Sequence, residues 1–295
     1  MEPRKPQGLL LASEQDMKIS FELFPPAKPE AIGKVVETAT QLAAFQPDMI
    51  SVTYGAGGSG RERSTKLVAE LNRPNFPSIT AHITVSGQSR GDVLQQMNEW
   101  QAHGVKRFVA LRGDMPDMAR PFRPHEDGFA SSLDLMAHLA SRGAEEIYGG
   151  AYPEGHPESP NPLAELDHLK AKQDAGATAL ITQYFFEADC FLRFRDRAHK
   201  HGITLPIIPG ILPVANFEKA KNFSKRCGAS IPEFVHQRFA GLQDRPHESA
   251  LMGASLTAEL VMALADEGVE HFHFYTLNRA DLSLTACRML GVTPS

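Results

Sequence analysis

Ser20-Phe21-Glu22-Leu23-Phe24-Pro25-Pro26 alternates two kinds of side chain and then stops at a proline pair. Ile19, Phe21 and Leu23 fall on one face and Ser20, Glu22 and Phe24 on the other, the period of a strand. Neither proline can donate to a sheet ladder, so the pair closes the strand and turns the chain. One carboxylate is left among apolar neighbours at the strand's end. Burying it unpaired is costly, which raises its pKa. Two readings stay open here: an edge strand with Glu22 in water, or a proton donor or acceptor at the mouth of a sheet.

From this strand onward, strand-like and helix-like segments alternate. A helix is expected over 30–45, a strand over 49–53, a helix over 61–71 and a strand over 79–85. Helix 92–103 is closed by Gly104, and strand 108–111 runs into Arg112-Gly113-Asp114. A Pro- and charge-rich loop fills 115–128. Helix 132–142, strand 146–151, helix 162–175, strand 179–182, helix 188–201, strand 205–209 and helix 217–227 follow. A helical excursion ending in 249–266, a strand over 271–275 and a short helix over 285–290 complete the chain. About eight strand–helix units in one unbroken domain, 18–295, outline an α/β fold, the (β/α)8 or TIM barrel. Residues 1–17 are expected to be a flexible leader. A doubly wound open sheet is the alternative, because the same alternation feeds both.

The net charge of −5, with Lys and Arg scattered, gives no reason to expect nucleic acid as a partner. No run of about 18 uninterrupted apolar residues appears, so no membrane span is expected. Cys190, Cys227 and Cys287 are odd in number and far apart, which points to a reducing cytoplasm rather than a disulfide frame or zinc cluster.

A barrel builds its site at the C-terminal ends of its strands. Those ends carry Glu22, Thr53-Tyr54, His82, Arg112-Gly113-Asp114, Tyr152, Gln183 and Asn278-Arg279, while the strand interiors read as apolar. The seventh strand instead ends in an apolar Pro-Gly-Ile-Leu-Pro turn. Gly55-Ala56-Gly57-Gly58-Ser59-Gly60 fits the dinucleotide pattern G-x-G-x-x-G, but the acidic residue due about 20 positions later is missing. These glycines are better read as a tight turn that lets backbone approach a ligand. His271 and His273 share a strand face and, with His82 and Asp114, admit a metal site and a barrel metallohydrolase as the alternative function. Histidines bonded to core neighbours are the plainer reading. Glu154 and Glu158 lie in a proline-rich loop whose spacing fixes no paired-carboxylate geometry.

Several strings taken in order resemble the methylenetetrahydrofolate reductases. They are Phe21-Glu22-Leu23-Phe24-Pro25-Pro26, Val52-Thr53-Tyr54-Gly55-Ala56, Ala110-Leu111-Arg112-Gly113-Asp114 and Ala151-Tyr152-Pro153-Glu154 with His156-Pro157-Glu158. Lys172 with Asp174-Ala175-Gly176-Ala177, Ile181-Thr182-Gln183-Tyr184-Phe185-Phe186 and Ile208-Pro209-Gly210-Ile211-Leu212-Pro213 continue the series. Phe272-His273-Phe274-Tyr275-Thr276-Leu277-Asn278-Arg279 closes it, so the likeness runs from about Lys18 to Gly291. It is to the short bacterial form, the chain being too short for the C-terminal regulatory domain of the eukaryotic one.

The resemblance implies a barrel that holds FAD. It implies hydride transfer from NADH or NADPH to FAD and then to 5,10-methylenetetrahydrofolate, in a ping-pong scheme, by a homo-oligomer that needs no metal. It makes Glu22 the general acid that protonates the folate's bridging nitrogen, and places Asp114 by flavin and pterin. Gln183, Lys219, Phe223 and Arg279 fall at folate-contacting positions. Flavin contacts fall on Thr53, Tyr54, Ala56, His82, Arg112, Gly113, Asp114, Ala130, Tyr152, His156, Glu165, His168 and Lys172. The chain carries Glu165, His168 and Ala171 where enterobacterial members have Asp, Asn and Arg, and Lys219 where some members have Gln.

Overall fold

A computed structural model describes residues 17–54, 60–114 and 122–294. The expected leader lies almost wholly outside them, as does Ala56 in the glycine-rich turn. The strands are β1 (Lys18–Leu23), β2 (Met49–Val52), β3 (Ile79–Thr84), β4 (Arg107–Leu111), β5 (Glu146–Ala151), β6 (Ala179–Thr182), β7 (Ile207–Ile208), β8 (Gly210–Ile211) and β9 (His271–Tyr275). All pair in parallel, in the order β7-β6-β5-β4-β3-β2-β1-β9-β8. Because β7 and β8 are neighbours in the chain and pair with opposite ends of this series, the sheet curls into a barrel. The open sheet is thereby ruled out, and so is an edge position for Glu22: β1 pairs with β2 on one side and β9 on the other.

The seventh strand, expected over 205–209, is broken rather than continuous. Pro209 has no N–H to give, so the ladder cannot pass through it. β7 before it pairs with β6, and β8 after it pairs with β9. Gly210 makes this closure possible. A Cβ there would stand 2.1 Å from Thr182 O and 2.5 Å from the Tyr275 ring, and its N–H donates to Thr182 Oγ1 at 2.9 Å.

Ten α-helices are found among the described residues. They are α1 (Ile32–Ala43), α2 (Arg61–Leu71), α3 (Arg90–Ala102), α4 (Ser132–Ser141), α5 (Pro162–Asp174), α6 (Ala188–Lys200), α7 (Phe217–Cys227), α8 (Glu233–Arg238), α9 (Pro246–Asp266) and α10 (Asp281–Met289). α3 starts two residues earlier than expected because Ser89 caps it, accepting from Asp92 N; Ser131, Asn161 and Asn216 cap α4, α5 and α7 likewise. α10 begins at Asp281 rather than 285. α9 has the length and apolar composition of a membrane span. It nevertheless lies along α6 and α10 in the outer layer and buries Ser249, Gly253, Thr257, Val261 and Leu264.

Both faces of the sheet are covered. The outward face of β1 and β9 (Ile19, Phe21, Leu23, Phe272 and Phe274) packs into one core with Val35, Ala39 and Leu42 of α1. Phe21 and Phe274 are fully buried with ring centroids 5.8 Å apart, each worth about 1.5–3 kcal/mol of burial.

The inward face is divided, contrary to the expectation of apolar strand interiors. On the β4–β7 side Val109, Tyr148, Ala179, Ile181 and Ile208 make an apolar wall. On the β9-β1-β2-β3 side, register places Ser20, Glu22, Ser51, Thr80, His82 and His273 inward, and all but Glu22 are buried. Barrel interiors are usually filled with branched aliphatic side chains. A polar wall therefore marks a site.

Candidate active site

β1 brings Glu22 to the upper end of the polar wall, with 21 % of its side chain exposed. Thr276 fixes the backbone there, donating from Oγ1 to Glu22 O at 2.7 Å. Beyond it, the Asn278 amide donates to Phe24 O at 2.8 Å and accepts from Phe24 N at 3.0 Å. Leu277 and Asn278 both take positive φ to present that amide.

His82 Nε2 lies 3.4 Å from Glu22 Oε2 and has no aligned hydrogen-bond partner among the described residues. His273 Nε2 lies 3.9 Å from the same oxygen. His82 sits two residues before the end of β3 and reaches Glu22 across the inner face.

Desolvation decides the charge states. Burial holds the Glu22 carboxyl above the usual range, with His82 pulling it down. Burial holds His82 below the imidazole range, opposed by Glu22 and helped by His273. His273 is pushed down to about 3 by burial alone. Tyr275 donates its hydroxyl to Thr182 O at 2.7 Å, and burial followed by the Glu22 charge holds its pKa well above 10. The assembly is an acid of raised pKa among rings whose pKa burial lowers.

A second group forms over β4 and β5. Gly113 turns the chain at φ +80°, where a Cβ would stand 2.7 Å from Thr84 Cβ. Asp114 follows with an exposed side chain, its carbonyl accepting from Ser86 Oγ at 3.0 Å. Arg112 pairs with Glu158 and lies over the Phe122 ring at 5.2 Å. Tyr152 meets His156 edge to face at 4.6 Å. Glu165 and Lys172, on α5, are both buried.

The Lys172 ammonium donates to Gly150 O, and burial, partly offset by Glu165, pushes its pKa down to about 8. Burial raises Glu165, with Lys172 opposing, and its Oε1 has no partner among the described residues. His156 N approaches the other oxygen at 3.4 Å.

A third group lies over β6. Gln183 Oε1 accepts from Tyr184 N at 3.0 Å, and the Tyr184 ring stacks on Phe223 at 5.6 Å. Tyr152, Glu154, Gln183, Tyr184 and Cys227 line a small cleft, so Tyr152 joins this group to the second.

Other expected residues stand apart. Tyr54 donates to Gln88 Oε1 at 2.9 Å and meets Trp100 edge to face; Thr53 N donates to Leu23 O. Ala130 N donates to Asp134 Oδ2, and Lys219 N to the Asn216 cap, with the Lys219 side chain exposed. Arg279 pairs with Asp281 at 2.6 Å, and His168 is exposed on α5.

The metal reading finds no support. His271 Nε2 and His273 Nδ1 both spend a ring nitrogen on Ser20 Oγ, and no three His, Cys, Asp or Glu side chains converge among the described residues. Glu154 is bonded to Ser230 and Glu158 to Arg112, so neither forms a carboxylate pair. The sequence reading passed over Ser20 and Tyr275. The signal was present, because each lies two residues from a selected one and shares its strand face.

The family model described as methylenetetrahydrofolate reductase matches residues 9–291. The 5,10-methylenetetrahydrofolate reductase of Escherichia coli is 38 % identical over 94 % of this chain and 92 % of its own, and that of Pectobacterium carotovorum 37 % over 94 % and 91 %. An uncharacterized Clostridium thermocellum protein that binds two copies of 5-methyl-5,6,7,8-tetrahydrofolic acid superposes with a TM-score of 0.60 at 14 % identity. It covers 94 % of each chain, a likeness of fold.

Proposed function

The chain belongs to the methylenetetrahydrofolate reductase family, and we propose that it reduces 5,10-methylenetetrahydrofolate to 5-methyltetrahydrofolate with hydride drawn from NADH or NADPH through FAD. The observation that carries the reading is Glu22: a carboxyl whose pKa burial raises, at the C-terminal end of a barrel strand, with 21 % of its side chain exposed. A general acid works best with a pKa near the working pH, and desolvation moves a carboxyl that way.

The net change adds one hydride and one proton. Glu22 gives its proton to the bridging nitrogen, the ring's carbon–nitrogen bond opens, and the carbon left electron-poor accepts the hydride. The Glu22 carboxylate formed in that step is met by His82 Nε2. Asp114, Gln183 and Phe223 would orient the pterin and its aryl tail from the neighbouring groups, and Arg279 and Lys219 are exposed for the acidic end of the tail.

The residues over β4 and β5 fit FAD. Lys172 and Arg112 offer cations to a diphosphate, Glu165 Oε1 is a buried acceptor without a donor, as a polyol hydroxyl would supply, and Gly113 lets backbone come close. Thr53, Tyr54, Ala56, His82, Asp114, Ala130, Tyr152, His156 and His168 complete that proposed binding set. When bound, the flavin supplies the hydride chemistry.

The test separates two half-reactions under anaerobic stopped flow. Glu22→Gln should keep bleaching of the flavin by the nicotinamide and lose reoxidation by the folate. Survival of both would remove the acid role, and a protein that stays colourless after refolding with FAD would remove the flavin.

A further inference from the structure

Ser20 sits one turn of the strand pleat below Glu22, and three groups meet at its hydroxyl. Its Oγ lies 3.3 Å from Phe272 O, 2.9 Å from His273 Nδ1 and 3.3 Å from His271 Nε2. The hydroxyl has a single hydrogen to give; with that hydrogen on Phe272 O, Oγ accepts from the rings. His273 is 1 % exposed and neutral, with one N–H to place. In that arrangement Ser20 holds the hydrogen on Nδ1. The other nitrogen, Nε2, is then a bare lone pair, 3.9 Å from Glu22 Oε2.

A bare lone pair repels a carboxylate and accepts from a carboxyl. We propose that His273, locked in one tautomer by Ser20, is a positioning residue that keeps Glu22 protonated and aimed at the mouth of the barrel. The inference rests on the reading of Glu22 as the acid, and adds what holds the proton there between turnovers. The Glu22 carboxyl makes no aligned side-chain hydrogen bond among the described residues, and its donation to His273 Nε2 takes a side-chain rotation that closes the 3.9 Å gap. His82 bears on the same oxygen from β3, Tyr275 adjoins from β9 with its hydrogen committed to Thr182 O, and the β2 neighbour, Ser51, does not titrate. His271 lies further down and touches Ser20 rather than Glu22.

The reaction makes such a device useful. Each turnover takes one proton from Glu22, and a carboxyl that fell back to its solution pKa would be ionised at neutral pH and unable to give the next. Without the Ser20 hydroxyl, the His273 hydrogen is free to move to Nε2. It would then donate to the carboxylate and favour the wrong state.

The experiment is an infrared difference titration of the Glu22 carboxyl, with Glu22→Gln as the blank, run beside the pH profile of folate-driven flavin reoxidation. Ser20→Ala and His273→Asn should each move the carboxyl midpoint and the alkaline limb of the profile down by roughly one pH unit, the size of one lost hydrogen bond. Asn keeps a donor for Ser20 but has no atom where Nε2 stood, so the two variants remove the same contact by different routes. Ser20→Thr, which keeps the hydroxyl, should titrate as the parent does. Unmoved or raised midpoints in Ser20→Ala and His273→Asn overturn the inference. Folate reoxidation that survives in Glu22→Gln overturns the acid reading instead, so the two failures are distinct.

Discussion

At the lower end of the barrel Arg107 reaches Asp48 and Glu146, and Tyr148 donates to the same Glu146 oxygen; at the upper end Glu22 faces two histidines that burial keeps neutral. The lower contacts are close: Arg107 Nε to Glu146 Oε2 at 3.0 Å, Nη1 to Asp48 O at 3.1 Å and to Oδ2 at 3.4 Å. The upper ones are longer, at 3.4 and 3.9 Å, and join no opposite charges. Both ends hold carboxyl groups, Asp48 just before β2 and Glu146 on β5 below, and Glu22 on β1 above. What differs is the partner. A guanidinium offers several donors in a plane and keeps its charge, so it bridges Asp48 and Glu146 across the barrel floor. An imidazole kept neutral leaves a carboxyl free to carry a proton. On the proposed reading, one end serves stability and the other a change of protonation state.

The comparison breaks most readily at Glu22. Glu22→Gln should cut folate reduction by about 10²–10⁴-fold, the range for loss of a general acid, while the melting temperature at pH 7 is held or rises. A lowered melting temperature would mean that Glu22 serves stability after all. Arg107→Met should do the reverse, leaving turnover of the folded enzyme close to the parent value while costing about 2–3 kcal/mol in urea unfolding, because two carboxylates lose a charged donor. Tyr148→Phe removes one hydrogen bond from the same floor and should cost about 1 kcal/mol.

The smallest effect is in how stability follows pH. Glu22 is raised above 4.5 in the folded state, so the native protein binds more protons there, and stability falls as pH rises from 4.5 through the folded value. His271 and His273 are lowered from 6.5 to about 4 and about 3. Their contribution is full above 6.5 and is lost as pH falls toward those values. Urea midpoints measured from about pH 4 to 8 should therefore flatten on the alkaline side in Glu22→Gln and on the acid side in His271→Asn. Parallel profiles for all three proteins would show that neither shift is present.

Much of this was legible in the chain. Strands 146–151, 179–182 and 271–275 and helices 61–71 and 217–227 were placed to the residue, because proline, glycine and capping signals bracket them. The break at Pro209 was written in the sequence but read as a strand end, since nothing local shows that one strand must serve two neighbours. Glu22, His82 and Gln183 were selected as strand-end polar residues. Ser20 was not, although it shares Glu22's face.

By itself the sequence determined the parallel alternation of strand and helix, the positions of the turns, and the family that its ordered motifs mark. It also determined that one face of β1 is apolar and the other carries Ser20 and Glu22. Only the tertiary structure decided which of those faces looks into the barrel. Period two distinguishes a buried from a solvated face, but a barrel strand is covered on both, by helices outside and by its own curvature inside. The proton state of Glu22 belongs to that second kind of fact. It depends on burial and on His82, 60 residues away along the chain, while His273, 251 residues away, is brought within 4 Å of the same oxygen by closure of the sheet.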